Sequence, residues 1–324
     1  MPKLKETNRI KVIDDEPKRF KLRELYNKYG ILAVFLVMFI VFSFMSPVFL
    51  RPTNLLNILR QSSMLGILAM GQAFVIISGG IDLSVGAIIA ITTVVVADSV
   101  SKFGIMPAIL IGLFAGAVIG LINGLGITFG KLPPFIMTLG TTSMASGLAF
   151  IYSKGTPIMI NGPFLNIGNG YLLKVIPLPV VYFIVLLAVS YFIMGFTTFG
   201  RYVYSIGSNS EATRLSGVNI RLNIIKVYII SGLFASITGI IFASQLAIGT
   251  AIGGQGYELK AITAVILGGV TLGGGSGTIW GAFFGTAIIG MLANIMNLTG
   301  VNPFIQTFLT GVILIVAVLV RREK

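Results

Sequence analysis

The 324-residue chain contains neither cysteine nor histidine. The first absence excludes disulfides, thiol nucleophiles and thiolate metal sites. The second removes imidazole ligands and leaves no side chain that titrates, unperturbed, near neutral pH. Charge is scarce as well. Charged residues make up 10% of the chain, against roughly 25% in a soluble domain. Hydrophobic residues reach 55% and the mean hydropathy is +0.96, a composition that belongs to a polytopic membrane protein. The net charge of +13 does not call for nucleic acid, because excess Lys and Arg in such proteins gathers in cytoplasmic loops beside anionic lipid.

A catalytic set is also missing. The nearest approach to a nucleotide loop is Gly126-Ile127-Thr128-Phe129-Gly130-Lys131-Leu132. Its spacing is wrong, and it ends in Leu where magnesium coordination needs Ser or Thr. The chain is expected to hydrolyse no ATP and to hold no metal or cofactor. If it drives transport, the energy must enter through another polypeptide.

What the chain does have is a series of apolar blocks. Residues 1–30 form a basic tail with nine Lys or Arg and five acids, expected to be cytoplasmic. The uncharged run 31–50 lacks a small-x-small cleavage site and is longer than the core of a secretory signal, which predicts a retained first span. Residues 55–60 predict a short interfacial helix. Further spans are expected near 62–78, 84–100, 106–128, 134–152, 178–197, 222–246, 259–272, 280–297 and 303–320. The fold class is all-α, with about ten transmembrane helices in one domain, 31–324. With both termini inside, seventeen basic residues fall in cytoplasmic segments. Six fall outside: Arg51, Arg60, Lys102, Lys154, Lys174 and Lys260. Without the tail the ratio is eight to six, so the tail largely decides the orientation.

Of the 40 glycines, Gly112, Gly116, Gly120 and Gly124 recur every fourth residue, as do Gly281 and Gly285. Such stripes let a neighbouring helix backbone approach closely. Two other glycine clusters, 78–86 and 273–277, interrupt helices, and the segments 75–88 and 265–279 look alike, as internal duplication would leave them.

Only Asp82 and Asp98 are acidic between residues 70 and 200. A carboxylate in such a setting is a functional candidate by default. Asp82 also stands where it can cap a helix starting at Leu83, accepting from the amide of Ser84 or Val85; cap and gate roles can coexist. Asp98, at a span end, is expected to be solvated. The spans otherwise carry neutral polarity: Gln61, Gln72, Asn123, Thr138, Thr141, Thr142, Ser143, Gln245, Asn294 and Gln306. That inventory suits an uncharged, hydroxyl-rich solute. Candidate pathway or gate residues are Asp82, Ser84, Gln72, Asn123 and Asn294.

The longest polar interval after the tail is 201–222. Within it, 209–216 reads as a short helix. Asn209 or Ser210 can cap its start, Glu211 sits in the favourable first turn, and Gly217 takes the left-handed position after its end.

These stretches resemble the membrane permease subunit of bacterial ABC importers for monosaccharides, the ribose-permease type. The resemblance is carried by Thr53-Asn54-Leu55-Leu56-Asn57-Ile58-Leu59-Arg60-Gln61, Gly80-Ile81-Asp82-Leu83-Ser84-Val85-Gly86, Gly200-Arg201-Tyr202-Val203-Tyr204, Glu211-Ala212-Thr213-Arg214-Leu215-Ser216-Gly217-Val218 and Gly256-Tyr257-Glu258-Leu259. It runs from about residue 30 to 320. It implies a type II importer-like permease in a bacterial plasma (inner) membrane, paired with a second permease subunit, identical or a close paralogue. A cytoplasmic ABC ATPase carrying ATP and Mg would drive it, and an extracytoplasmic sugar-binding protein would deliver the solute. The coupling segment it implies comprises Gly207, Asn209, Glu211, Ala212, Arg214, Leu215, Ser216 and Gly217.

There are two departures. Thr213 stands where a second Ala is common, read as a surface change of no consequence. Lys260 stands where many members have an acid, so no contact is carried over to that position. Permeases for nucleosides or branched-chain amino acids share the architecture. A stand-alone carrier is disfavoured by the sparse intramembrane charge and the docking segment.

Overall fold

In a bilayer core no water satisfies backbone N–H and C=O groups, so long apolar runs must close their hydrogen bonds internally as helices. The computed structural model describes residues 17–322; residues 1–16 of the expected tail and 323–324 lie outside the described residues. The helices are α1 Pro17–Met45, α2 Pro52–Ile77, α3 Val85–Phe103, α4 Ile105–Thr128, α5 Pro134–Ser153, α6 Asn166–Asn169, α7 Leu178–Phe196, α8 Thr198–Ser208, α9 Ser210–Leu215, α10 Ile220–Leu246, α11 Tyr257–Leu267, α12 Ile279–Leu298 and α13 Pro303–Arg322. The two-residue strands are β1 Ile158–Met159, β2 Tyr171–Leu172, β3 Ile176–Pro177 and β4 Ile248–Gly249.

Seven helices, α2, α3, α4, α5, α7, α10 and α12, are long and apolar enough to cross a membrane. Shorter apolar helical stretches cover Gly30–Met45 and Pro303–Leu319. The chain is an all-α, multi-pass membrane protein, and seven helices rather than the expected ten meet that length and hydropathy among the described residues.

The expected span 259–272 is the 11-residue α11, about 16 Å long at 1.5 Å per residue and well short of a core of about 30 Å. Hydropathy runs on past its end, but Gly269 adopts φ +101°, and the amide of Val270 turns back to the carbonyl of Val265 at 3.2 Å. Two other boundaries differ from expectation. Pro52 starts a helix that absorbs the expected interfacial segment 55–60 into α2. The first helix begins at Pro17, inside the expected tail, and stops at Met45, two residues before Pro47.

Helix α10 is the hub and packs on α4, α2 and α3. The glycine stripe makes the α4 contact possible. A Cβ at Gly116 or Gly120 would collide with the carbonyl of Gly232 or Tyr228 on α10, and one at Gly124 would sit 2.7 Å from Ile225 Cα. Gly281 and Gly285 bring α12 equally close to the carbonyls of Gly268 and Ala264. Both stripes are seams between helices, as their spacing predicts.

The connecting segments sort into two groups. In one, β1 pairs antiparallel with β4, Ile158 opposite Gly249. There too Arg60 donates to the Tyr171 hydroxyl at 2.5 Å, and Asp98 accepts from Lys102 and Tyr152. In the other, the amide of Gly275 bonds the carbonyl of Ile77 at 2.8 Å, and the Arg221 guanidinium lies 5.3 Å from the Phe129 ring centre. The segments after α2, α4 and α7 fall in the second group, and those after α3, α5 and α10 in the first.

Candidate functional site

The 201–222 interval is an elbow of two helices rather than one helix in a loop. The Thr197 side chain caps α8 by accepting from the amide of Gly200 at 3.2 Å. Gly200, Val203 and Ile206 form its buried stripe. That three-residue spacing, together with Thr197, is the sequence signal for α8. At Asn209 the chain becomes extended, and the Asn209 Oδ1 accepts from the amide of Ala212 at 2.9 Å to start α9. Gly217, at φ +83°, ends it. Asn219 then caps α10 by accepting from the amide of Leu222 at 3.0 Å.

On α9, Ala212, Glu211, Arg214 and Leu215 are exposed. Glu211 and Arg214 form a two-pronged pair at 2.5 and 3.0 Å, which holds the Glu211 carboxyl below its ordinary value. Leu215 is 73% exposed, an apolar residue presented to solvent at the tip of a well-capped element. Thr213 corrects the expectation placed on it. It is the buried residue of α9, bonded to the Ser205 hydroxyl at 2.6 Å and to the carbonyl of Asn209 at 2.7 Å. An Ala there would lose the tie between α9 and α8. Behind the elbow lies an open cleft of about 540 Å³ that Ser78, Gly79, Gly207, Asn209 and Ile220 help to line.

The second assembly is a buried polar chain. Helix α3 starts at Val85 with Ser84 in the cap position, so Asp82 precedes the helix by three residues and is not its N-cap. Its Oδ1 does accept from the Ser84 amide at 2.9 Å, and from the Ser84 hydroxyl at 2.6 Å. Its Oδ2 accepts from the Ser231 hydroxyl on α10 at 2.8 Å. Asn123 donates to the Ser84 hydroxyl at 2.8 Å and accepts from Thr141 at 2.7 Å. Gln72 donates to the carbonyl of Asp82. Four of the five candidate pathway residues therefore meet, linking α2, α3, α4, α5 and α10, and none of the four has exposed surface.

Asn294 is elsewhere. It forms a reciprocal amide pair with Asn54, at 3.1 and 2.8 Å, which joins α12 to the start of α2. Ser231 was not foreseen; a lone Ser within an apolar helix gives no signal until the fold brings a carboxylate to it. Asp98, expected to be solvated, accepts from Lys102 at 2.7 Å and Tyr152 at 2.5 Å. The Lys260 ammonium lies 5.3 Å from the Tyr257 ring centre.

Comparisons with known proteins extend the geometry. The profile of the family described as "Branched-chain amino acid transport system / permease component" matches residues 54–318. The ribose import permease protein RbsC of Bacillus subtilis is 40% identical over 317 residues, covering 96% of this chain and 98% of the relative. The protein of the same name from Haemophilus influenzae is 36% identical, covering 95% and 97%. The D-allose transport system permease protein AlsC of Escherichia coli is 32% identical, covering 98% of each. No solved structure matches the chain.

Proposed function

The chain belongs to the family of branched-chain amino acid transport system permease components, and from that membership we propose that it is the membrane subunit of an ATP-driven importer of a ribose-like monosaccharide. The observation that carries this reading is helix α9, capped at both ends, exposed, and tipped with Ala212 and Leu215. A permease without a nucleotide site needs a handle for an ATPase, and α9 is its handle. Ala212 and Leu215, three residues apart on one helical face, enter a groove on the ATPase. Glu211 and Arg214 lie at the rim, where single charges matter less than buried anchors. ATP and Mg bind the partner. A second permease subunit completes the pathway, and an extracytoplasmic binding protein delivers the sugar. The chain sits in the bacterial inner membrane with both termini cytoplasmic, its basic tail beside anionic lipid.

The family description names branched-chain amino acids, whereas the near-full-length relatives are named for ribose and allose. Matches that span the whole pathway bear more closely on the solute than a family label does, and the neutral polarity of the spans agrees with an aldose. The test is to assemble the chain with its ATPase and binding protein and measure ATP hydrolysis with D-ribose, D-allose, adenosine and leucine. Ribose or allose should stimulate turnover several-fold; stimulation by leucine or adenosine alone would refute the sugar assignment. In the same assembly Ala212→Trp should reduce ATPase co-purification at least tenfold while leaving the membrane protein folded. Normal association of that variant would reduce α9 to a connector.

A further inference from the structure

Helix α8 is fastened to two loops that are far apart in sequence. A Cβ on Gly207 would collide with the carbonyl of Ile77 and the amide of Gly275, and those two groups are hydrogen-bonded to each other at 2.8 Å across it. A Cβ on Gly274 would lie 2.8 Å from Gly79 Cα and 3.0 Å from Gly207 Cα. Three backbones thus meet with no side chain between them. Hydroxyls brace the joint on either side. Tyr204 donates to the carbonyl of Gly277 at 2.9 Å, and Ser205 meets Thr213 of α9. The two loops leave their helices by the same turn. In one, the amides of Ser78, Gly79 and Gly80 bond the carbonyls of Phe74, Ile76 and Val75. In the other, Gly268, Gly269 and Val270 bond Ala264, Ile266 and Val265.

Beyond the joint, the 78–84 loop has little freedom. The Tyr228 hydroxyl and Thr138 bond the carbonyl of Ile81, and Asp82 is held by Ser84 and Ser231. These bonds, with that of Asn123 to Ser84, tie the loop to α4, α5 and α10, so a displacement of α8 would act on all three. Packed backbone of this kind has discrete arrangements rather than continuous give.

We propose that the backbone joint at Gly207, braced by Tyr204 and Thr213, is the positioning element through which α9 sets the geometry of the Asp82 loop. This rests on the reading of α9 as the ATPase handle. Spatial intermediacy alone does not establish coupling, so the test must read conformation. In the full complex, a single cysteine replacing the exposed Ser276 is labelled with a thiol reagent, with and without ATP. The labelling rate should change at least threefold with ATP. The double variant Tyr204→Phe, Thr213→Val removes two hydroxyls without adding volume, so it should fold and still co-purify with the ATPase. Its ATP response at position 276 should disappear, and sugar imported per ATP hydrolysed should fall at least fivefold. Gly207→Ala should do the same. An ATP response that survives in the double variant overturns the proposal, as does a parent chain with none. Failure of the α9 reading is separate, because it would appear as normal ATPase association of Ala212→Trp.

Discussion

Asp82 has no exposed surface, and among the described residues it forms no ion pair. Three dipoles hold it: the Ser84 amide, the Ser84 hydroxyl and the Ser231 hydroxyl. An asparagine can keep most of this arrangement, since its carbonyl accepts from Ser84 and its amide can donate to the Ser231 oxygen. Asp82→Asn is therefore expected to express normally and retain most sugar uptake. Asp82→Leu orphans buried donors at about 1–3 kcal/mol each and should lower the melting temperature in detergent sharply. A well-folded Asn variant without uptake would assign the negative charge itself to gating. Asn123 is the next link outward, and its bond to Ser84 ties the same loop to α4 and α5.

At the scale of elements, the α4–α10 seam separates glycines that matter from glycines that do not. Gly120 faces the Tyr228 carbonyl, whereas a Cβ at Gly140 on α5 meets nothing within 4 Å. Gly120→Ala should cost about 1–3 kcal/mol by forcing the helices apart. Gly140→Ala should be neutral or more stable by about 0.5–1 kcal/mol, since Gly is a poor helix residue. Thermal melts of the two variants in one detergent check the contrast; equal stabilities would dissolve the seam. The seam was legible because four-residue spacing is a helical property that survives without coordinates. So was α9, whose Asn209 cap and Gly217 stop are local backbone chemistry. The end of α11 was not legible, because glycine within an apolar run reads equally as packing or as a stop until its φ is known. Thr213 and Ser231 were invisible for a different reason. A small hydroxyl has no preferred environment, and its partner lay eight residues away in one case and 149 in the other.

The whole molecule presents two ends whose loops recognise one another. The end that gathers the 78–84, 197–219 and 268–278 segments carries α9, and the end joining β1 to β4 carries the exposed β2–β3 turn. The proposed orientation, with the α9 end in the cytoplasm, is supported by charge. Nine basic residues lie within residues 1–30, and Lys131, Arg201, Arg214, Arg221 and Lys226 belong to the α9 end. A surplus of Lys and Arg is held inside, which supports the proposed cytoplasmic placement of the α9 end. Because the chain has no cysteine, each new thiol reports alone. A cysteine at Leu173, 82% exposed at the tip of the β2–β3 turn, should react with a membrane-impermeant reagent in intact spheroplasts. One at Ser210 should react only after the membrane is opened. The segments that flank α2 to α10 fall alternately at these two ends, so the pair of measurements orients those crossings. Labelling of position 210 from outside would invert the map, place α9 beyond the reach of any cytoplasmic ATPase, and remove the handle on which the import mechanism depends.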